Sequence, residues 1–225
     1  MNIPYYARYD YCYRKACEFL EEYKINSYPI EPLSIIEKEH YGKLRYSELM
    51  KEYHCDLDTV CKCMQSKDGK TILTDGIYSI AYNDLQETHD RIRFTLMHEI
   101  GHIYLNHLVD FEKTELLRGG LSKHENKVLE NEANAFARNV LAPVSLVNQL
   151  KIKSISNISN RFGLTSSAAE TRLSFLELDN QYFKNADMEV VYTNLYDYMM
   201  AVVDSIPAGS GGVIFTPWLH GNRCP

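Results

Sequence analysis

Residues 94–107 read FTLMHEIGHIYLNH, and within them HEIGH sets two histidines four residues apart with a glutamate directly after the first. Ile92, Leu96, Ile100, Ile103 and Leu105 recur at helical spacing with few breakers between them, so residues 89–107 are expected to form a mostly buried helix. On a helix of about 3.6 residues per turn, His98 and His102 fall one above the other, close enough for two imidazoles to hold one ion. Glu99 is rotated from that line by roughly a quarter turn, so its carboxylate addresses water at the open position of a metal rather than the metal itself. This is the pattern of a zinc-hydrolase core. The plainer alternative is a pair of hydrogen-bonded helix histidines. Two features favour the metal. Ile100 and Gly101 are apolar and small, which lets another element pack tightly against the motif. A carboxylate-bearing helix also follows, and a zinc held by two histidines needs a third protein ligand while leaving its fourth position to water.

That third ligand must come from LENEANAFARNVLAP, residues 129–143, where Glu130 and Glu132 compete. Helical geometry aligns Glu130, Asn134, Ala137 and Leu141, but both glutamates flank the apolar face at similar angles, so periodicity favours Glu130 only slightly. Asn134 adds weight. One turn from Glu130, its side chain can accept from the second ring N–H of a ligand histidine and fix that tautomer. Glu132 is expected to be a solvated surface carboxylate. His107 lies five residues beyond His102, off the metal face, and is expected to be structural. An extended-motif metzincin would need a histidine where this chain has Leu108, so that class is excluded.

The rest of the chain bounds the possibilities. At 225 residues it can bury one substantial core, enough to support a metal site without disulfides. The net charge of −6 supplies no basic field for phosphates. No stretch approaches the roughly 18 apolar residues of a membrane span, and MNIPYYARYD lacks the features of a leader, so a cytoplasmic protein is expected. Six cysteines are then read as buried thiols rather than bridges. Cys61 and Cys63, with His54 and Cys55 nearby, suggest a second zinc site, but C-x-C is a poor match to the usual spacing. Residues 11–24 are expected to form a first helix. KTILTDGIYSIAYND, residues 70–84, reads as a hairpin turning at Asp75-Gly76. Residues 112–124, with Gly119-Gly120, read as a loop, and 124–143 as a second long helix stopped by Pro143.

Residues 154–176 have the pattern of a helix-turn-helix: Ile155, Ile158 and Phe162 on one helix, Gly163 closing it, Thr165 capping the next, and Ala169, Leu173 and Leu176 facing inward. Its exposed face is read as carrying Arg161 and Arg172 against Glu170 and Glu177, too little positive charge for DNA binding. From Asp187 onward a helix, a flexible turn in PAGSGG and a short extended end are expected. AGSGG lacks the lysine of a phosphate loop, and Cys224 alone is not a site.

RFTLMHEIGHIYLNH, then ENEANAFARNVLAP, then ISNRFGLTSSAAETRL, with the DGIYSIAYN hairpin ahead of them, resemble the ImmA/IrrE family of metallopeptidases over residues 10 to 177. The resemblance implies an α+β, mainly helical zincin-like fold, with a small β-sheet before the active-site helix and a helix-turn-helix-like segment after it. It implies residues 1–150 as the metallopeptidase domain, 151–177 as the helical segment packed on it, and 178–225 as a tail that matches nothing in the family. It implies zinc held by His98, His102 and Glu130, with Glu99 as catalytic base and Asn134 behind the site. Members of the family act on DNA-binding repressors of mobile elements or stress responses, so a helix-turn-helix repressor is the implied protein substrate. The competing expectation is a non-catalytic regulator that binds DNA or a protein partner through the helix-turn-helix, with a structural metal.

Overall fold

The computed structural model describes residues 3–110 and 121–185. After α1 (Tyr9–Glu22), the chain forms α2 (Pro32–Lys38), with proline in its first turn, then β1 (Gly42–Arg45), α3 (Tyr46–Glu52) and α4 (Leu57–Met64). The hairpin follows as β2 (Gly69–Thr74) and β3 (Ile77–Tyr82). Its two turn residues, Asp75 at φ 52° and Gly76 at φ 78°, adopt the left-handed conformations that the tight turn demands. The sheet runs in the order β1-β3-β2, with β1 parallel and β2 antiparallel to β3. No element is legible in the sequence between PLSIIEKEHYG, which ends at Gly42, and the hairpin that begins at Lys70, and most of the parallel strand β1 falls there.

The motif helix is α5 (His89–Tyr104), capped at its start by the Thr88 side chain. It ends earlier than periodicity suggests, because Asn106 turns left-handed at φ 58° and starts the short α6 (His107–Asp110) in a new direction. Helix α7 (Lys123–Leu141) begins with a reciprocal capping box between Ser122 and Glu125. It packs against both α1 and α5. Phe136 from α7 meets Phe19 from α1 and Tyr104 from α5 at ring-centroid distances of 5.4 and 5.5 Å. At the crossing with α5, a Cβ on Gly101 would lie 3.0 Å from Phe136 Cδ1, so the backbones approach as closely as a glycine allows. The tight packing expected at this glycine is present.

The chain continues through α8 (Val144–Gln149), α9 (Ile155–Phe162), α10 (Ser166–Ser174) and α11 (Leu176–Asn185). Gly163, at φ 59°, closes α9, and the Thr165 hydroxyl caps α10. Arg93 of α5 donates to the Gly163 carbonyl at 2.8 Å, fastening this turn to the motif helix. Ile158, Phe162, Leu164 and Ala169 lie in the same core as α1, α5 and α7.

Arg172 corrects the reading of this segment. It is fully buried rather than on an exposed face, with Nη1 donating to Asn139 Oδ1 at 3.0 Å and Nη2 lying 2.8 Å from Asp179 of α11. Arg138 holds the same carboxylate from the other side through two hydrogen bonds, at 2.9 and 3.1 Å. The reason is the tertiary partner Asp179, which lies beyond the helix pair in sequence.

The architecture is α+β, mainly helical and zincin-like, with a three-stranded sheet. No helix among the described residues is long and apolar enough to cross a membrane. The Gly119-Gly120 pair and the elements expected from Asp187 onward lie outside the described residues.

Candidate metal centre

Helices α5 and α7 bring His98, His102 and Glu130 together. Their potential ligand atoms all lie within 4.8 Å of one another, and this is the group of metal-binding type found among the described residues. The two Nε2 atoms stand 3.1 Å apart, while Glu130 oxygens lie 3.2 Å from His98 Nε2 and 3.7 Å from His102 Nε2. Ligands at 2.0–2.1 Å from a tetrahedral zinc stand about 3.3–3.4 Å from each other, so the donor set has the spacing that zinc requires. His98 Nδ1 lies 3.0 Å from Asn134 Oδ1. The amide oxygen accepts, so the ring proton sits on Nδ1 and the Nε2 lone pair faces the other donors.

Burial pushes the His98 imidazole down, but Glu130, Glu99 and Asn134 outweigh it and raise the pKa. His102 is held well below its ordinary value by burial and by its neighbours His98 and His107. A neutral His102 is the form that can donate a lone pair to a metal.

Glu99 stands apart from the three converging donors. It is 6% exposed, and its Oε2 accepts from the Thr71 hydroxyl of β2 at 2.8 Å. Burial raises its pKa above the ordinary carboxylate value, against the opposing pull of His98 and Thr71. A raised carboxylate pKa suits a group that must take a proton and give it back. Thr71 had no signal in the sequence, because the hairpin reading does not say which strand residue meets α5. Both Thr71 and Glu99 line a cavity of about 1040 Å³, together with His98, His102, Glu130 and Asn134.

Glu132 overturns its expected place on the surface. It is fully buried, and both oxygens are engaged by Arg8, from the residue just before α1, and by His107. The partners are 124 and 25 residues away in sequence, which is why helical periodicity could not find them. Glu132 is therefore not available to the cavity, and Glu130 alone of the two glutamates joins the histidines. Burial acts to raise the Glu132 pKa, but hydrogen bonds from Arg8 and His107 prevail and hold it at about 2.

Tyr104 of α5 donates its hydroxyl to Glu22 at 2.7 Å. Cys12 and Cys17 are buried free thiols as expected, whereas Cys55 and Cys61 are only half-buried and Cys63 is exposed; these three form no metal-binding group among the described residues.

The peptidase M78 model, described as the IrrE N-terminal-like domain, matches residues 45–174, more than half of the chain. The chain belongs to this family. It is a zinc metallopeptidase, a hydrolase of peptide bonds. No curated protein matches it. For this IrrE-like peptidase, helix α1 and Arg8 lie ahead of the matched region, and α11 with Asp179 lies after it.

Proposed function

We propose that His98, His102 and Glu130 hold the zinc, that Glu99 is the general base, and that Asn134 fixes the His98 tautomer. The supporting observation is the convergence of three donors at zinc spacing, with a second carboxylate, that of Glu99, set beside them by its own hydrogen bond. His98, His102 and Glu130 would hold a zinc that would supply Lewis acidity to the scissile carbonyl and to the attacking water. Glu99, oriented by Thr71, takes a proton from that water and returns it to the leaving amine. The substrate is an extended polypeptide. Strand β2 is one of the two edge strands of the sheet and carries Thr71 along the cavity, which favours a chain laid beside it in β-conformation.

The resemblance to the ImmA/IrrE family adds that this polypeptide belongs to a helix-turn-helix repressor of a mobile element or stress response, cleaved in the cytoplasm. Residues 1–150 then form the catalytic unit, 151–177 support it, and 178–225 form a tail of separate role. The regulatory alternative loses ground at Arg172, because its buried guanidinium cannot contact a phosphate backbone.

The test compares Glu99→Gln with His98→Ala in purified protein and in cells carrying the repressor. Glu99→Gln is expected to retain zinc and lower hydrolysis by at least ~10²-fold, whereas His98→Ala loses the metal as well. Equal repressor loss with the parent and with Glu99→Gln would overturn the assignment.

A further inference from the structure

Glu132 lies at the end of a hydrogen-bonded chain that leads to the metal centre. Arg8 donates its backbone N–H and Nε to Oε1 at 2.8 and 2.9 Å, and its Nη2 to Oε2 at 2.8 Å. His107 Nε2 lies 3.0 Å from the same Oε2, and His107 Nδ1 lies 2.9 Å from His102 Nδ1. His102, His107 and Glu132 are each no more than 1% exposed, so water does not compete for these contacts.

The proton positions follow from donor and acceptor rules. An ionised carboxylate only accepts, so His107 carries its proton on Nε2. A neutral His107 then has a lone pair on Nδ1, and the short contact to His102 requires that His102 place its proton on Nδ1. The His102 Nε2 lone pair is left facing His98 and Glu130. Reversing any one proton would reverse the rest and put an N–H where the metal belongs.

We propose that Glu132 and His107 are positioning residues of the zinc site: anchored by Arg8, they lock His102 in the tautomer whose Nε2 is free to bind metal. This rests on the assignment of His98, His102 and Glu130 as the ligands. Helix α7 thereby serves the site three times at alternate residues. Glu130 supplies a donor, Glu132 sets the His102 tautomer through His107, and Asn134 sets that of His98. The anchor also makes residue 8 part of the centre, although it lies outside the region matched by the family.

The test uses the full chain labelled with nitrogen-15. Long-range proton–nitrogen spectra of the zinc-free protein report the His102 tautomer, and chelator competition reports zinc affinity. In the parent, His102 is expected to be entirely the Nδ1–H form. His107→Phe, close to isosteric, removes the acceptor, so the tautomers should mix and zinc affinity should fall by roughly 10–100-fold.

Glu132→Gln gives a second reading that does not depend on His107→Phe folding. Two Arg8 donors converge on Oε1 and one, Nη2, on Oε2, so the amide oxygen is expected at the doubly served Oε1 position, while the NH₂ group takes the Oε2 position, displacing Nη2 and facing His107. His107 Nε2 must then accept, and His102 should switch to Nε2–H with loss of zinc affinity. A folded variant of either kind with parental tautomer and parental zinc affinity would overturn the proposal. Failure of the ligand assignment reads differently: the parent would lack stoichiometric zinc, or His102→Ala would keep it.

Discussion

Asp179→Ala removes the carboxylate that Arg138 and Arg172 share. In the parent, Arg138 binds it through two hydrogen bonds, while Arg172 Nη2 stands 2.8 Å away, close enough for an ion pair but not directed for a hydrogen bond. Arg138 is 6% exposed and Arg172 0%, and burial already lowers the Arg172 pKa to about 10. Without the anion, two guanidinium groups face each other in the core with little water to solvate them. Removing one partner of a single buried ion pair costs about 3–5 kcal/mol, and two stranded cations should place this variant at the upper end. For a chain of this size, each kcal/mol moves the melting temperature by about 2–4 °C, so a drop of roughly 10–20 °C is expected.

Urea unfolding at neutral pH, followed by circular dichroism, measures the loss. A companion variant, Arg138→Met/Arg172→Met/Asp179→Leu, removes all the charges together and should be less destabilised than Asp179→Ala, because no ion remains unpaired. A loss below about 1 kcal/mol for Asp179→Ala, or a companion less stable than the single variant, would refute the reasoning. Zinc content of the folded fraction should not change, since Arg138 lies about 12 Å along α7 from Glu130.

Three further outcomes follow from the site. Thr71→Val keeps the side-chain shape but removes the hydrogen bond to Glu99, which for a charged acceptor is worth about 1.5–3 kcal/mol; kcat should fall by roughly 10–100-fold with zinc retained, and an unchanged kcat would remove Thr71 from the mechanism. Gly101→Val forces side-chain carbon against Phe136, and should cost about 1–3 kcal/mol in urea unfolding and weaken zinc binding by separating α5 from α7. The Glu132 pKa is lowered from 4.5 to about 2 on folding, so its contribution is present above pH 4.5 and lost as the pH falls toward 2. Stability measured across that window should decline less steeply in Glu132→Gln than in the parent.

Local grammar made much of this molecule legible. The four-residue histidine spacing, the Asp75-Gly76 turn, and the closure of α9 at Gly163 with the cap at Thr165 depend on neighbours a few residues away, and the structure contains each of these elements. What stayed hidden depends on distant partners. Strand β1 is four residues long and pairs with a strand more than thirty residues later, so neither its length nor its pattern announces it. Glu132 and Arg172 are charged residues on amphipathic helices, which by composition alone belong at the surface. Arg8 and Asp179, each contributed by a different helix region, make their burial tolerable. His107 could have been suspected from Asn106, a residue suited to a left-handed turn that ends α5 and aims the next side chain back at His102.

The contact between Gly101 and Phe136 has a consequence for how such sites vary between chains. Three donors on two helices keep their arrangement only if neither helix slides, and one residue of slip would shift Glu130 by about 1.5 Å and rotate it by roughly 100°. The Phe136 ring, on α7 beyond Glu130 and seated against a bare backbone, resists that slip as a pin does. The relative register of α5 and α7 is thus set where they cross, not by the number of residues that join them. In general, doubling the length of a loop costs only about 0.6 kcal/mol in closure entropy. Insertions and deletions between α6 and α7, beyond His107, should therefore accumulate in related chains, while the glycine and the aromatic residue opposite it change only together.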